Sequence, residues 1–183
     1  MRGVAACLIL AVAGLAGAQT AAENPGPPRA EIKAVERLCD KAMETYTIDT
    51  IEQVTHARAL WIEGYGVLIT MQVNLAQVSP LVGIAGGLSK AQKEKIRDNK
   101  RKRLPDFRAF LEGLMLEAVK PLEHLSPNDH LMLNVDFDYA PYEDSNGMPV
   151  TLALVATKKD LLEAAERKVS RDQLAGILKV KME

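Results

Sequence analysis

Cysteine is nearly missing from this chain, with two among 183 residues. Cys7 lies in an N-terminal apolar stretch and Cys39 in a later helical pattern. If the first is removed with its stretch, no internal disulfide can form, and the fold has to be stable through its core alone. Net charge is also missing: 23 basic residues against 24 acidic give −1. Such a balance provides no global pull toward nucleic acid or an anionic membrane. The chain contains no Gly-x-Ser-x-Gly elbow, no Gly-rich phosphate loop and no pair of histidines on one helical turn. Those absences argue against a serine hydrolase, a nucleotide-binding loop and a helical metal site in turn. With 48% hydrophobic and 26% charged residues, the composition is that of one ordinary globular domain rather than a disordered or repetitive chain.

The N-terminus is the first strong feature. Arg2 precedes an apolar stretch from Val4 to Leu15, and Ala16-Gly17-Ala18 then stands before Gln19. A positive residue, a short apolar core and a small-x-small ending read as a secretory signal peptide over residues 1–18. The stretch is shorter than the roughly 20 apolar residues a membrane span needs. Cys7 lies inside it, whereas a lipidated cysteine follows the apolar region at the cleavage site. Cleavage after Ala18 leaves 165 residues with Cys39 as the remaining cysteine. Buried cysteines of this kind usually act as small hydrophobes. The expected location is therefore outside the cytoplasm, periplasmic or extracellular, with no membrane span after cleavage.

Residues 19–29 contain Pro25, Gly26, Pro27 and Pro28 and read as a short extended tether. The remainder, 30–183, reads as one α+β domain. Ile32, Val35, Leu38, Cys39 and Ala42 recur at helical spacing from Ala30 to about Met43. Over 57–75, apolar and polar residues alternate on either side of Gly64-Tyr65-Gly66, the pattern of a β-hairpin. Residues 76–88 read as a loop. Ser89-Lys90-Ala91-Gln92 fits a capping box and opens a long helical region to about Val119, interrupted by Pro105 as a kink or as the start of a second helix. Its core stripe is Ile96, Leu104, Phe107, Leu111, Leu114 and Ala118. Alternation returns over 131–139, and Val150 to Thr157 reads as a central strand. A helix from Lys159 to about Lys168, a short one capped by Ser170 and a brief terminal strand complete the chain. The expected architecture is two-layered: a roughly four-stranded, mainly antiparallel sheet from two hairpins, covered by a long basic helix and flanking helices.

The Glu63-Gly64-Tyr65-Gly66-Val67-Leu68 hairpin with its long basic helix, and the ending in which Ser170-Arg171-Asp172 opens a short helix before a terminal strand, resemble a set of uncharacterised exported bacterial proteins. The resemblance spans most of the chain after residue 18. It implies a bacterial envelope setting and brings no activity or site residue with it.

Three features are candidate sites. Between Lys90 and Arg103 stand eight cations and two acids, a local excess of +6 in a nearly neutral protein. Lys93, Arg97, Lys100, Arg101, Lys102 and Arg103 are its candidate binding residues. Such a helix is either simply solvated or a docking surface for an anionic envelope polymer or an acidic partner protein. The second feature is Asp136 with Asp138, two carboxylates about 7 Å apart on one strand face, with Asn134 beside them and Gln72 and Asn74 available from a neighbouring strand. That spacing suits acid–base work or a cation, and equally a solvated sheet face. The third is the set His56, His124 and His130, with His124, Asp129 and His130 flanking one loop. Too few ligands converge for a metal to be expected, and no cofactor is expected.

The favoured reading is a non-catalytic exported envelope protein that binds an anionic partner through its basic helix. The alternatives are a hydrolase or cation-dependent enzyme using Asp136 and Asp138, and a small-molecule or haem sensor using a histidine. The signal peptide is directly testable: intact-mass and N-terminal analysis of the exported protein is expected to place the first residue at Gln19. Retention of residues 1–18 would overturn that expectation.

Overall fold

The computed structural model describes residues 26–46, 51–76 and 88–183. The expected signal peptide, residues 19–25 of the tether and nearly all of the 76–88 loop lie outside the described residues. In chain order the elements are α1 (Arg29–Thr45), β1 (Glu52–Ile62), β2 (Gly66–Asn74), α2 (Lys90–Ala118), β3 (His130–Phe137), β4 (Thr151–Thr157), α3 (Lys158–Arg167), α4 (Arg171–Ile177) and β5 (Lys179–Met182). The α+β class expected from the alternation is found. The sheet has five strands rather than four, in the order β1-β2-β3-β4-β5, because the brief terminal strand pairs with β4.

One pairing in the sheet is parallel. β1 and β2 form the expected antiparallel hairpin, and β3 runs antiparallel to β4, but β2 and β3 run parallel, with Gly66 opposite His130 and Val73 opposite Phe137. The reason lies in α2. Its 29 residues cover about 43 Å at 1.5 Å each, enough to carry the chain back along the sheet to the start of β2. A strand that starts there can only run alongside β2, and parallel neighbours always need such a crossover.

Side chains follow the period of two. Val67, Ile69, Met71 and Val73 of β2, Leu131, Leu133, Val135 and Phe137 of β3, and Leu152, Leu154 and Ala156 of β4 are buried on one face. They meet Phe107, Leu111, Leu114, Met115 and Ala118 of α2 and Val35, Cys39 and Met43 of α1 in a single core. Among the described residues no helix lies over the opposite face. Across it runs the row Leu60, Leu68, Met132, Val155 and Lys179, with Leu60 still 61% exposed. Sheets covered on one side alternate in this way.

Two capping boxes expected from sequence are present, Ser89 with Gln92 at the start of α2 and Ser170 with Gln173 at the start of α4. Of the two readings of Pro105, the second helix is not found; α2 is one helix with Pro105 inside it. The end of the proline-rich segment is not a free tether. Gly26 is buried against the indole of Trp61 with φ +68°, and a Cβ there would lie 2.4 Å from Trp61 Cε2.

The outer edge of β1 is sealed by side chains. Asp40 Oδ1 accepts from the Ala57 N–H at 2.7 Å and from Gln53 Nε2 at 2.7 Å. Glu36 Oε1 accepts from the Ala59 N–H at 3.0 Å. Burial raises the Glu36 carboxyl, but the Lys33 ammonium, the Ala59 N–H and Arg58 outweigh that and hold it below its ordinary value.

Two glycines predict opposite outcomes. At Gly66, φ is +134° and an added Cβ would lie 2.0 Å from the His130 carbonyl oxygen, so Gly66→Ala should destabilise by about 3 kcal/mol or more. At Gly113, inside the C-terminal part of α2, a Cβ meets nothing within 4 Å, so Gly113→Ala should stabilise by about 1 kcal/mol. Urea unfolding midpoints check both; a Gly66→Ala midpoint equal to wild type would contradict the close backbone approach.

Candidate functional site

The basic half of α2 divides into cations that face the protein and cations that face water. Lys100 turns inward: it is 1% exposed, and its ammonium pairs with the equally buried Glu143 carboxylate. It also lies 3.4 Å from the Asp138 carbonyl oxygen and 4.8 Å from the Tyr139 ring centre. Arg97 pairs with Asp144, whose other oxygen accepts from the Asn146 N–H at 3.1 Å. Arg103 Nη1 donates to the Leu75 carbonyl at 2.9 Å. Three of the six candidate binding residues thus hold other parts of the fold, and Lys100 is too deep to meet a partner. The correction has a simple cause: helical spacing puts Lys100 on the side of α2 that also carries Phe107, Leu111 and Ala118.

These contacts strap the loop between β3 and β4 onto α2. Tyr139 adds a hydrogen bond from its hydroxyl to the Pro149 carbonyl at 2.7 Å. Burial, and after it the Glu143 carboxylate, pushes the Tyr139 phenol up to about 12. Glu143 Oε1 and Arg97 Nε are buried without a hydrogen bond.

The cations left on the surface are Lys90, Lys95, Arg101 and Lys102, with Lys93 half-buried. Among the described residues Lys90, Lys93, Lys95 and Lys102 form no ion pair. Arg101 has one loose contact at 3.7 Å to Asp98, both half-exposed, which is worth little.

Asp136 and Asp138 lie on the open side of the sheet. Asn134 Nδ2 donates to Asp136 Oδ1 at 3.0 Å, and Gln72 Nε2 donates to Asp138 Oδ1 at 3.2 Å, so each carboxylate has its own amide. Asp136 lines a shallow depression with Arg58, His56, Thr70 and Gln72, and Asp138 does not. Asn74, expected beside them, is buried instead and bonds the Ala76 N–H through its side chain.

The histidines lie in separate places. His56 Nδ1 is 3.1 Å from Asp40 Oδ2, His124 pairs with Glu31 at the start of α1, and His130 stacks on Tyr65 with ring centres 5.2 Å apart. Among the described residues no group of three His, Cys, Asp or Glu side chains could hold a metal ion. Cys39 is buried, and burial followed by the neighbouring Asp40 pushes its thiol up to about 12, so it stays protonated at neutral pH.

One charged group was not anticipated. Glu112 of α2 is 2% exposed and lies between Arg108 and Arg171. The sequence does carry a signal for half of it, an arginine four residues before a glutamate set inside the apolar Phe110-Leu111-Glu112-Gly113-Leu114. Arg171 joins from α4, which no local pattern reveals. Elsewhere Lys158 is also buried, its ammonium donating to the Glu123 and Leu125 carbonyls at 2.8 and 2.7 Å. No described helix is long and apolar enough to cross a membrane.

No family model, curated protein or solved structure matches this chain.

The buried Lys100–Glu143 pair makes a stability prediction. Removing one partner strands the other charge in the interior, so Lys100→Met should cost about 3–5 kcal/mol. Adding Glu143→Leu to that variant should recover most of the loss, because both desolvated charges are then gone. Thermal and urea unfolding of the single and double variants test this. A single variant as stable as wild type would show that the pair is not buried in solution.

Proposed function

We propose that the protein is a non-catalytic binding domain of the bacterial cell envelope that engages an anionic partner through the outward cations of α2. The observation that supports this is the sorting of charge on one helix. Arg97, Lys100 and Arg103 secure the loop and strand ends beneath them, which fixes the helix in place. Lys95, Arg101 and Lys102 stand in solvent on the same stretch. Lys95 and Lys102 are seven residues apart and so share a face, with Arg101 next to it. A rigid helix carrying exposed, weakly paired cations attracts polyanions without needing a cavity. Each contact made in water is weak, and the sum is screened at physiological salt, where the Debye length is about 8 Å. Of the six residues expected from sequence the reading keeps Arg101 and Lys102; it excludes Lys100, leaves Arg97 and Arg103 as supports, and takes the exposed Lys95 in place of the half-buried Lys93.

Chromatography on a heparin resin, a sulfated polymer standing for the anionic partner, tests the proposal. Lys95→Gln/Arg101→Gln/Lys102→Gln should bind roughly 1–3 kcal/mol more weakly, at a few tenths to 1 kcal/mol for each exposed charge. It should therefore elute at lower salt than wild type, with unchanged unfolding behaviour. Elution at the same salt, or no retention of the wild type at low salt, would overturn the reading.

A further inference from the structure

A second, different chemistry gathers where α2 passes α4 and β5. There a cleft of about 240 Å³ opens beside Glu112. Leu104, Pro105 and Met182 form an apolar wall, and Arg108, Arg171, Glu112 and Asp172 supply the charges. Glu112 Oε1 accepts from Arg108 Nε at 2.7 Å. Its Oε2 lies 3.6 Å from Arg171 Nε, beyond hydrogen-bond reach, and accepts no hydrogen bond although it is buried. A buried carboxylate oxygen without a donor is expensive and uncommon in folded proteins. Here the same side chain lines a cleft, and Arg171, which lies over that oxygen at 3.6 Å, is more than half exposed and can shift to admit a donor from a bound molecule.

The two arginines are turned alike. Each approaches Glu112 with Nε, and no Nη atom of either forms a hydrogen bond to that carboxylate. One of them, Arg171 Nη2, donates to the Pro105 carbonyl at 3.2 Å. Guanidinium edges recognise carboxylates well. Yet the cleft as a whole is neutral, two cations against two carboxylates. A simple anion is opposed by Glu112 and Asp172, and a simple cation by Arg108 and Arg171. A ligand that carries both signs satisfies all four. The volume lies below the usual range for drug-sized ligands and fits a small molecule. The apolar wall asks for an aliphatic group on it.

We propose that this cleft binds a free α-amino acid with an aliphatic side chain. The ligand carboxylate rests on the Arg108 and Arg171 guanidiniums, its ammonium donates to Glu112 Oε2 with Asp172 alongside, and its side chain covers Leu104, Pro105 and Met182. The proposal is independent of the polyanion-binding role of α2.

Isothermal titration of the purified protein with L-leucine, L-valine and L-methionine tests it. At least one of the three is expected to bind, and the two single-charge analogues of leucine, 4-methylpentanoate and 3-methylbutylamine, should each bind at least tenfold more weakly than leucine itself. Arg171 is more than half exposed, so Arg171→Ala should fold normally and lose amino-acid binding. Lys95→Gln/Arg101→Gln/Lys102→Gln should bind the amino acid as wild type does. No heat with any of the three amino acids, or 4-methylpentanoate binding as tightly as leucine, would overturn the proposal. So would unchanged affinity in Arg171→Ala.

Discussion

The parallel pairing of β2 with β3 is the constraint on which the remaining architecture depends. It requires the His130 backbone to approach Gly66 so closely that no side chain fits between them. It also requires a crossover long enough to return the chain to that end of the sheet, and α2 is that crossover. Once α2 lies along the buried face, its inward side chains have to meet the core and its outward ones water. A helix with eight cations in its first fourteen residues cannot place all of them outward, so the fold brings acids to those that turn in. The loop between β3 and β4 supplies Glu143 and Asp144 for that purpose.

Buried charge recurs elsewhere with the same logic. Lys158 ends on two carbonyls left over where the chain leaves α2. Glu36 and Asp40 end on strand N–H groups that have no neighbouring strand. In each case a charged side chain replaces a backbone partner that the topology does not provide, and buried polar groups are rarely left without one. Glu112 and Glu143 depart from this pattern: each has one carboxylate oxygen that is covered and still unbonded. Glu112 in addition lines a cleft, which makes that cleft the natural place to look for a ligand.

Local features of the fold were readable in the sequence. Period-two alternation located β2 and β3, an apolar run located β4, and the two capping boxes located the starts of α2 and α4, because each signal is contained within a few neighbouring residues. The fifth strand and the parallel pairing were harder, since they depend on where the chain returns rather than on any one segment. The candidate basic site was readable as a charge excess but not as a surface. A lysine at position 100 looks the same in sequence whether it faces water or Glu143, which lies far along the chain. Asp136 lies in β3 and Asp138 one residue past its end, and their separate amide partners and the depression that includes only Asp136 arise from side-chain packing. Arg171 reaches Glu112 from another helix, so that group had only half of its signature in one place.

The sealing of β1 has a further consequence. β1 is an edge strand of eleven residues, and two of its N–H groups, those of Ala57 and Ala59, are occupied by Asp40 and Glu36 of a helix that precedes it in the chain. The opposite edge, β5, has four residues and carries Lys179 and Lys181, which discourages pairing by charge and by length. The two edges are therefore protected by different means: β5 by its own composition, β1 by its neighbour and by two irregularities in its pairing. A molecule in which α1 has come away would expose a long, largely uncharged strand edge able to add to the same edge of another copy. By holding that helix in place, the two carboxylates keep this edge from adding to a copy of itself.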